Sequence, residues 1–270
     1  MRLFTRALVG AASCLAALIP ALPAHAAMQP LLSYYGGRVI SHVKVDVVVW
    51  GSWTYGSSVP LTGHRSITSF AGAIPASPYV DWLREYNTSA QQIGRGVLDG
   101  VYTVSPPTSA NGSVVSNAQI QSALGKLIAA SRLPKPSADR VYVILFRKGQ
   151  TITRPEGDSR HMFCGYHDTR SYASHALAYA VIPYEIGNPG CRAASNSFDS
   201  LTTITSHELV EAITDPDVGL GKIAWYNRNY GEIGDICAGA STPGPVTGAD
   251  GVRYVVQREW SNRRGSCVLA

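Results

Sequence analysis

The fold is decided by the stretch VKVDVVVW at residues 43–50. Its β-branched residues favour a strand, and its nearly continuous apolar character is typical of a strand that is buried on both faces. Such a strand needs further strands beside it and layers of other elements above and below it. Residues 43–50 therefore predict the central strand of an α/β sheet.

Helical and extended patterns follow this strand along the chain. Residues 77–87 begin with a capping serine and a proline at the first helical position, and residues 116–131 space their apolar side chains helically. Strands are predicted at residues 97–104, 140–146 and 178–184, and Pro183 favours a sheet edge or a strand end for the last of them. A helix at residues 201–213 precedes a Gly-rich and Pro-rich segment, residues 214–270. This order predicts an α/β (α+β) fold with a small irregular C-terminal lobe.

The first 26 residues have the order of a signal peptide. Arg2 and Arg6 precede an apolar run at residues 7–22, and small residues at positions 24 and 26 suit cleavage after residue 26. The run contains Pro20 and is short for a membrane span of about 20 residues. The N-terminus therefore predicts export, to the extracellular space or the periplasm, without a stable membrane anchor.

Cleavage leaves residues 27–270, which are enough for one sizeable core, and we expect a single domain composed of a sheet-and-helix lobe at residues 27–213 and the lobe at residues 214–270. The signal peptide removes two arginines, so 21 of the 23 Lys and Arg residues remain against 18 Asp and Glu, a net charge of +3. The basic residues are scattered rather than clustered, which argues against nucleic acid as a partner. We expect a monomer.

Four cysteines remain after Cys14 leaves with the signal peptide. An exported chain with an even number of cysteines is typical of disulfide bonding. Three pairings are possible, and the most local one joins Cys164 to Cys191 and Cys237 to Cys267. A four-cysteine zinc site is the alternative, but the spacing lacks the Cys-x-x-Cys pair that is common in such sites.

The most informative motif is HELVE at residues 207–211. Residues four apart lie on one face of a helix, so the ring of His207 and the carboxylate of Glu211 can reach one cation. Glu208 projects about 100° round the axis, toward a metal-bound water, where it would act as the general base. This is the pattern of the HExxH zinc peptidases with the second histidine replaced by glutamate. It predicts a zincin-like fold, with a mixed twisted sheet, packed helices and this motif helix.

A third metal ligand must come from outside the motif. Glu232 is our first choice and Asp235 the second, because both lie in an acidic segment that a predicted disulfide holds. Asp217 is a further alternative at the spacing that metzincins use, although the chain has no methionine after residue 162, where metzincins need one. His167 is another alternative because it lies next to a predicted disulfide. Zinc fits these ligands, and the carboxylates also suit Ca²⁺ or Mn²⁺.

Several segments match a known family in order along the chain. They include YYGG at residues 34–37, the strand that ends at residues 50–51, and residues 77–86, 163–167, 178–184, 206–216, 232–237 and 256–260. Together they resemble the exordium, or phosphate-induced protein, family of secreted plant proteins and its bacterial and fungal relatives, and this chain looks like a bacterial-type member. The resemblance implies secretion to the cell wall or the extracellular space. The chain is shorter than the plant members around its third and fourth strands and has fewer cysteines there.

Two functions are compatible with these features. The first is a secreted metal-dependent hydrolase, a zinc endopeptidase whose polypeptide substrate adds as a strand along residues 178–184. The second is a non-catalytic extracellular protein that keeps a zincin-like scaffold and binds a cell-wall component. Metal content and proteolysis distinguish the two hypotheses.

Overall fold

The main sheet is mixed and contains the strand predicted at residues 43–50. The computed structural model describes residues 30–53, 55–184 and 189–270, so the predicted signal peptide lies outside the described residues. Within them, the sheet has the strand order Gly94–Val104, His42–Trp50, Arg140–Leu145, His175–Ile182, Tyr166–Tyr172. The first four strands are parallel and the fifth is antiparallel to its neighbour. Together with its helices this sheet forms an α+β fold, which confirms the predicted class.

The strand His42–Trp50 lies inside the sheet, as predicted, and pairs with a strand on each side. Because alternate side chains of a strand point to opposite faces, it contributes to two buried clusters. Val45 and Val47 belong to one cluster, and Val48 and Trp50 belong to the other. The apolar run at residues 43–50 therefore reflects burial on both faces of the sheet.

Helices cover both faces of the sheet in the described part of the chain. Side chains of Ile67–Ala73, Pro78–Asp81 and Ser197–Thr214 pack into the first cluster, and those of Asn117–Ala129 pack into the second. The predicted helix at residues 77–87 begins at Pro78 and continues as the 3₁₀-helix Trp82–Tyr86. Asn117–Ala129 begins with a capping box. The side chain of Ser116 accepts a hydrogen bond from the backbone N–H of Gln119, and the side chain of Gln119 accepts one from the backbone N–H of Ser116.

Of the two positions that Pro183 indicated for residues 178–184, the strand end is confirmed and the sheet edge is wrong. The strand His175–Ile182 pairs with Arg140–Leu145 on one side and with Tyr166–Tyr172 on the other. Pro183 follows the last residue of the strand, so its missing N–H leaves the strand pairing intact. The edge strand on this side of the sheet has the sequence YHDTRSY, which is too polar to be recognised as a strand. Substrate cannot add to residues 178–182, because both sides of that strand are already paired.

The predicted irregular lobe at residues 214–270 contains two short hairpins. Gly244–Thr247 pairs with Arg253–Val256, and Glu259–Ser261 pairs with Ser266–Val268. Tyr254 and Trp260 belong to the same buried cluster as the helix Ser197–Thr214. The other short strands are Ser33–Tyr34, Val114–Ser116, Thr151–Arg154, Gly157–Asp158 and Trp225–Tyr226, and the other 3₁₀-helices are Thr108–Ala110, Pro189–Cys191, Val218–Leu220 and Asp235–Cys237.

Disulfides join Cys164 to Cys191 and Cys237 to Cys267, which is the most local of the three pairings. The first ties the segment before the edge strand to the turn before the helix Ser197–Thr214. The second ties the acidic segment to the C-terminal hairpin. Such bonds persist in oxidising compartments, which fits an exported protein. Across residues 30–53, 55–184 and 189–270, every helix is too short or too polar to cross a bilayer.

Candidate metal centre

The HELVE motif lies in the last turns of the helix Ser197–Thr214, which we call the motif helix. The helix begins after Asn196, whose side-chain oxygen accepts from the backbone N–H of Asp199 at 2.9 Å. Its apolar residues Leu209, Val210, Ala212 and Ile213 belong to the buried cluster at the sheet. Glu208 and Glu211 are only 4% and 3% exposed. Because burying an ionised carboxylate is costly, both glutamates need partners of opposite charge.

Two histidines provide those partners. His207 Nε2 lies 3.1 Å from Glu211 Oε2 and 3.8 Å from Asp235 Oδ1. His167 Nδ1 lies 3.4 Å from the same Glu211 oxygen and 3.8 Å from Glu208 Oε2. The helical spacing that the sequence predicted therefore brings His207 and Glu211 together, and Glu211 Oε2 lies close to both imidazoles.

The structure does not place our first-choice third ligand beside His207 and Glu211. A carboxylate oxygen of Asp235, the second choice, lies near a ring nitrogen of His207 and a carboxylate oxygen of Glu211. Glu232, the first choice, lies on the other side of the cluster, with Oε1 at 3.4 Å from His167 Nε2. His167 forms a second set with the two motif glutamates. These groups are candidate metal ligands, and we call the two histidines with Glu208, Glu211, Glu232 and Asp235 the His–carboxylate cluster.

Asp217 lies outside the His–carboxylate cluster. Arg38 Nε donates to Asp217 Oδ2 at 2.9 Å, and Arg38 Nη2 donates to Oδ1 at 2.8 Å. This bidentate ion pair uses both carboxylate oxygens. The ten-residue spacing from His207 to Asp217 does not bring the two side chains together, because the motif helix ends at Thr214 and the carboxylate of Asp217 turns to Arg38.

The hydrogen bonds of His167 determine which of its ring nitrogens faces the cluster. Nε2 lies 3.2 Å from the carbonyl oxygen of Asp215, which can only accept. Nε2 therefore carries a hydrogen and donates it, and Nδ1 is the nitrogen that is available to a proton or to a cation. His167 itself is 6% exposed, so the ring is held in this orientation by its surroundings.

His207 is held by the side-chain amide of Gln257. The amide nitrogen donates to the carbonyl oxygen of Gly234 at 2.8 Å and lies 2.8 Å from His207 Nδ1. For the neutral ring, this arrangement makes Nδ1 the acceptor and leaves Nε2–H to donate to Glu211. When the Gln257 amide is rotated by half a turn, its oxygen accepts a hydrogen bond from Nδ1–H of His207. In this tautomer of His207, Nε2 carries no hydrogen and is free to bind a cation.

Burial and mutual charge shift the pKa values of the cluster. Burial alone would lower the pKa values of His167 and His207. The negative charge of Glu232 raises the pKa of His167 well above 6.5, and that of Glu211 does the same for His207. Burial raises the pKa of Glu232 well above its usual value and that of Asp235 to about 6. The cluster therefore retains protons near neutral pH, and a cation that binds there must displace them.

The loop at residues 231–235 approaches the motif helix closely because Gly234 has no side chain. A Cβ at this position would lie 2.6 Å from His207 Nδ1 and 2.9 Å from Glu211 Oε1. Gly231 has φ +85°, a left-handed conformation that favours glycine. The sequence GEIGD at residues 231–235 thus provides the turn and the close approach that bring two acidic side chains to the motif.

Two clefts meet at the His–carboxylate cluster. One has a volume of about 520 Å³ and an apolar wall that includes Phe163, Ile204 and Pro243. The other has a volume of about 350 Å³ and a more polar wall that includes Arg154, Tyr226 and Glu232. Both clefts are lined by Gly165, His207, Glu208 and Asp235. A ligand can therefore reach the motif from two sides.

Sequence reasoning missed two residues beside the cluster, Gln257 and Glu259. Glu259 is fully buried, and the Tyr79 hydroxyl donates to its Oε1 at 2.8 Å. Burial raises the pKa of Glu259 to about 8. Both residues come from the C-terminal segment, so the spacing of the motif does not point to them. The signal that could have found them is the match of residues 256–260 to the exordium pattern.

Comparison with known proteins gives a distant similarity. The chain matches no protein-family model, and it matches no solved structure. It is similar to Protein EXORDIUM-like 5 of Arabidopsis thaliana, with 22% identity over 293 residues, which cover 87% of this chain and 77% of that protein. This similarity supports the exordium-like relationship that the sequence motifs indicate.

Proposed function

We propose that this protein is a secreted metal-dependent hydrolase that cleaves polypeptides. A divalent cation binds His207, Glu211 and Asp235, which we call the His207 subsite, and Glu208 acts as the general base. The observation that carries this proposal is the convergence of two imidazoles and four carboxylates where two clefts meet. Clustered groups with strongly shifted pKa values in a cleft are typical of functional sites.

The distances within the His207 subsite suit zinc. Two ligand atoms at about 2.0–2.1 Å from a tetrahedral zinc lie about 3.3 Å apart. His207 Nε2 and Glu211 Oε2 are 3.1 Å apart, close to that spacing. Asp235 Oδ1 is 3.8 Å from His207 Nε2 and its side chain is 47% exposed, so a small movement brings it into range. The imidazole ligand favours zinc over calcium or manganese.

Glu208 has the position that a general base needs. Its Oε1 lies 4.0 Å from His207 Nε2, and its side chain lines both clefts. A Cβ at Gly165 would lie 2.7 Å from Oε1, so the glycine leaves space beside this oxygen. A cation at the His207 subsite would supply Lewis acidity, which lowers the pKa of water. Glu208 would then accept the proton of that water.

The clefts, rather than a sheet edge, accommodate the substrate. The Thr169 hydroxyl in the edge strand donates to the carbonyl oxygen of Pro216, and a Cβ at Gly219 would lie 2.1 Å from the Thr169 carbonyl oxygen. Residues 216–219 therefore cover this part of the edge. The cleft of about 520 Å³, with its apolar wall, suits an apolar side chain of an extended polypeptide.

A second candidate function is a non-catalytic extracellular protein that binds a cell-wall component and holds the cation for structure. The burial of the cluster favours it, because His167, Glu208 and Glu211 are 6%, 4% and 3% exposed. Structural zinc sites are closed, whereas catalytic sites keep an open position. The two clefts at His207 and Glu208 favour the hydrolase.

Removal and return of the metal test the proposal. Protein treated with a chelator should fail to cleave a labelled unstructured polypeptide, and one equivalent of Zn²⁺ should restore cleavage, because the cation activates the water. Metal content is measured by mass spectrometry and cleavage by the release of labelled fragments. Cleavage by the metal-free protein would contradict the proposal. Metal binding without any cleavage would support the binding protein instead.

A further inference from the structure

We propose that the His–carboxylate cluster holds two divalent cations, bridged by Glu211, rather than one. The first occupies the His207 subsite, and this part rests on the proposed function. The second occupies a set of His167, Glu208 and Glu211, which we call the His167 subsite. The inference concerns the His167 subsite, which a single-metal HExxE site does not include.

The two motif glutamates lie between the histidines. Glu211 Oε2 is 3.1 Å from His207 Nε2 and 3.4 Å from His167 Nδ1. Glu208 directs one oxygen to each ring, with Oε1 at 4.0 Å from His207 Nε2 and Oε2 at 3.8 Å from His167 Nδ1. Two-metal hydrolytic sites hold their ions about 3.5–4 Å apart. A carboxylate with close contacts to two imidazole nitrogens is placed to bridge such a pair.

His167 is already oriented as a metal ligand. Histidines that bind metals usually donate their other ring N–H to a backbone carbonyl or a carboxylate. His167 Nε2 has both kinds of acceptor nearby, the Asp215 carbonyl oxygen at 3.2 Å and Glu232 Oε1 at 3.4 Å. This leaves Nδ1 directed at the two motif glutamates, and His167 needs no rearrangement to bind a cation.

The charge of the cluster favours a second cation. Four carboxylates surround two imidazoles, so the ionised cluster carries four negative charges when both rings are neutral. One divalent cation leaves two of these charges to be balanced by protons on the buried groups, which a second cation can displace. Glu232 Oε1 is buried and, among the described residues, has no hydrogen-bond partner. Two divalent cations balance the four charges.

Occupancy of the His167 subsite has a consequence for activity. Glu208 Oε2 faces His167 Nδ1, so a cation there takes Glu208 as a ligand. A carboxylate that binds a cation is a poorer proton acceptor, because the cation stabilises its ionised form. Hydrolysis should therefore be fastest with one cation per chain and should fall as the second binds.

Titration of the metal-free protein with Zn²⁺ tests the inference through stoichiometry. The wild type should bind two equivalents and His167→Gln one, because the glutamine amide can still donate to the Asp215 carbonyl but lacks Nδ1. The control His175→Gln changes an exposed histidine outside the cluster and should bind two equivalents. Excess Zn²⁺, compared with one equivalent, should lower the cleavage rate of the wild type and not that of His167→Gln, each measured against its own rate at one equivalent.

A second measurement on the wild type does not depend on how well a variant folds. With two equivalents of Mn²⁺, electron paramagnetic resonance should show exchange coupling between bridged ions. Binding of one equivalent, or two uncoupled Mn²⁺ ions, would overturn the two-cation site. In that case, cleavage restored by one equivalent of Zn²⁺ would leave the proposed function intact. Absence of any binding would overturn both.

Discussion

Glu208→Gln should slow polypeptide hydrolysis by about 10²–10⁴-fold, the range that a general base contributes. The amide has nearly the shape of the carboxylate but cannot accept the proton of the attacking water. Glu208 is not a ligand of the His207 subsite, so the variant should still bind one equivalent of Zn²⁺ there. Initial rates of the wild type and the variant, each loaded with one equivalent, measure the effect.

The control for this variant is Glu156→Gln, which changes a glutamate whose side chain is 66% exposed and lies outside the His–carboxylate cluster. It should cleave at the rate of the wild type. A Glu208→Gln protein that cleaves as fast as the wild type would reject the assignment of Glu208 as the base. Loss of zinc together with loss of cleavage would show that Glu208 acts as a ligand of the first cation.

Glu259→Gln should stabilise the metal-free protein by about 4 kcal/mol at pH 8 and leave its stability at pH 4.5 nearly unchanged. Burial raises the pKa of Glu259 from 4.5 to about 8 in the folded state. Between these two pH values the folded protein keeps a proton that the unfolded chain has lost, so stability falls as pH rises through this window. Glutamine is neutral at every pH and its oxygen can still accept from Tyr79.

Urea unfolding of chelator-treated protein at pH 4.5 and pH 8 measures this effect. Asp235 and Asp215, whose pKa values burial raises to about 6 and about 7, make both proteins lose stability in the same direction. The difference between wild type and variant therefore isolates Glu259. Parallel stability curves for the two proteins across this range would contradict the burial argument.

Local sequence signals predicted the parts of the fold that local chemistry determines. The β-branched run at residues 43–50 required burial on both faces, and the structure pairs that strand on both sides. The helical spacing of apolar side chains at residues 116–131 predicted the helix Asn117–Ala129. For residues 178–184 the strand end that Pro183 indicated is confirmed. The sheet edge is wrong because the pairing partner Tyr166–Tyr172 is too polar to be recognised from its pattern.

The same distinction applies to the metal centre. His207, Glu208 and Glu211 were predicted because helical spacing alone places their side chains. The arrangement of Glu232 and Asp235 depends on the turn at Gly231 and on the close approach of the chain at Gly234. Sequence spacing alone therefore cannot tell which of the two carboxylates lies closer to His207. His167 comes from the strand that the sequence did not reveal, so it was proposed as an alternative ligand without its partners.

The central claim is that Glu211 organises a cation-binding cluster, and calorimetric titration of metal-free protein with Zn²⁺ tests it most directly. Glu211 Oε2 is the oxygen closest to both His207 Nε2 and His167 Nδ1, so Glu211→Gln removes a ligand from both subsites. We predict that the wild type binds Zn²⁺ with release of protons, and that Glu211→Gln, still folded by circular dichroism, binds at least about 100-fold more weakly. Equal Zn²⁺ affinity in the two proteins, or no binding to the wild type, would contradict the claim.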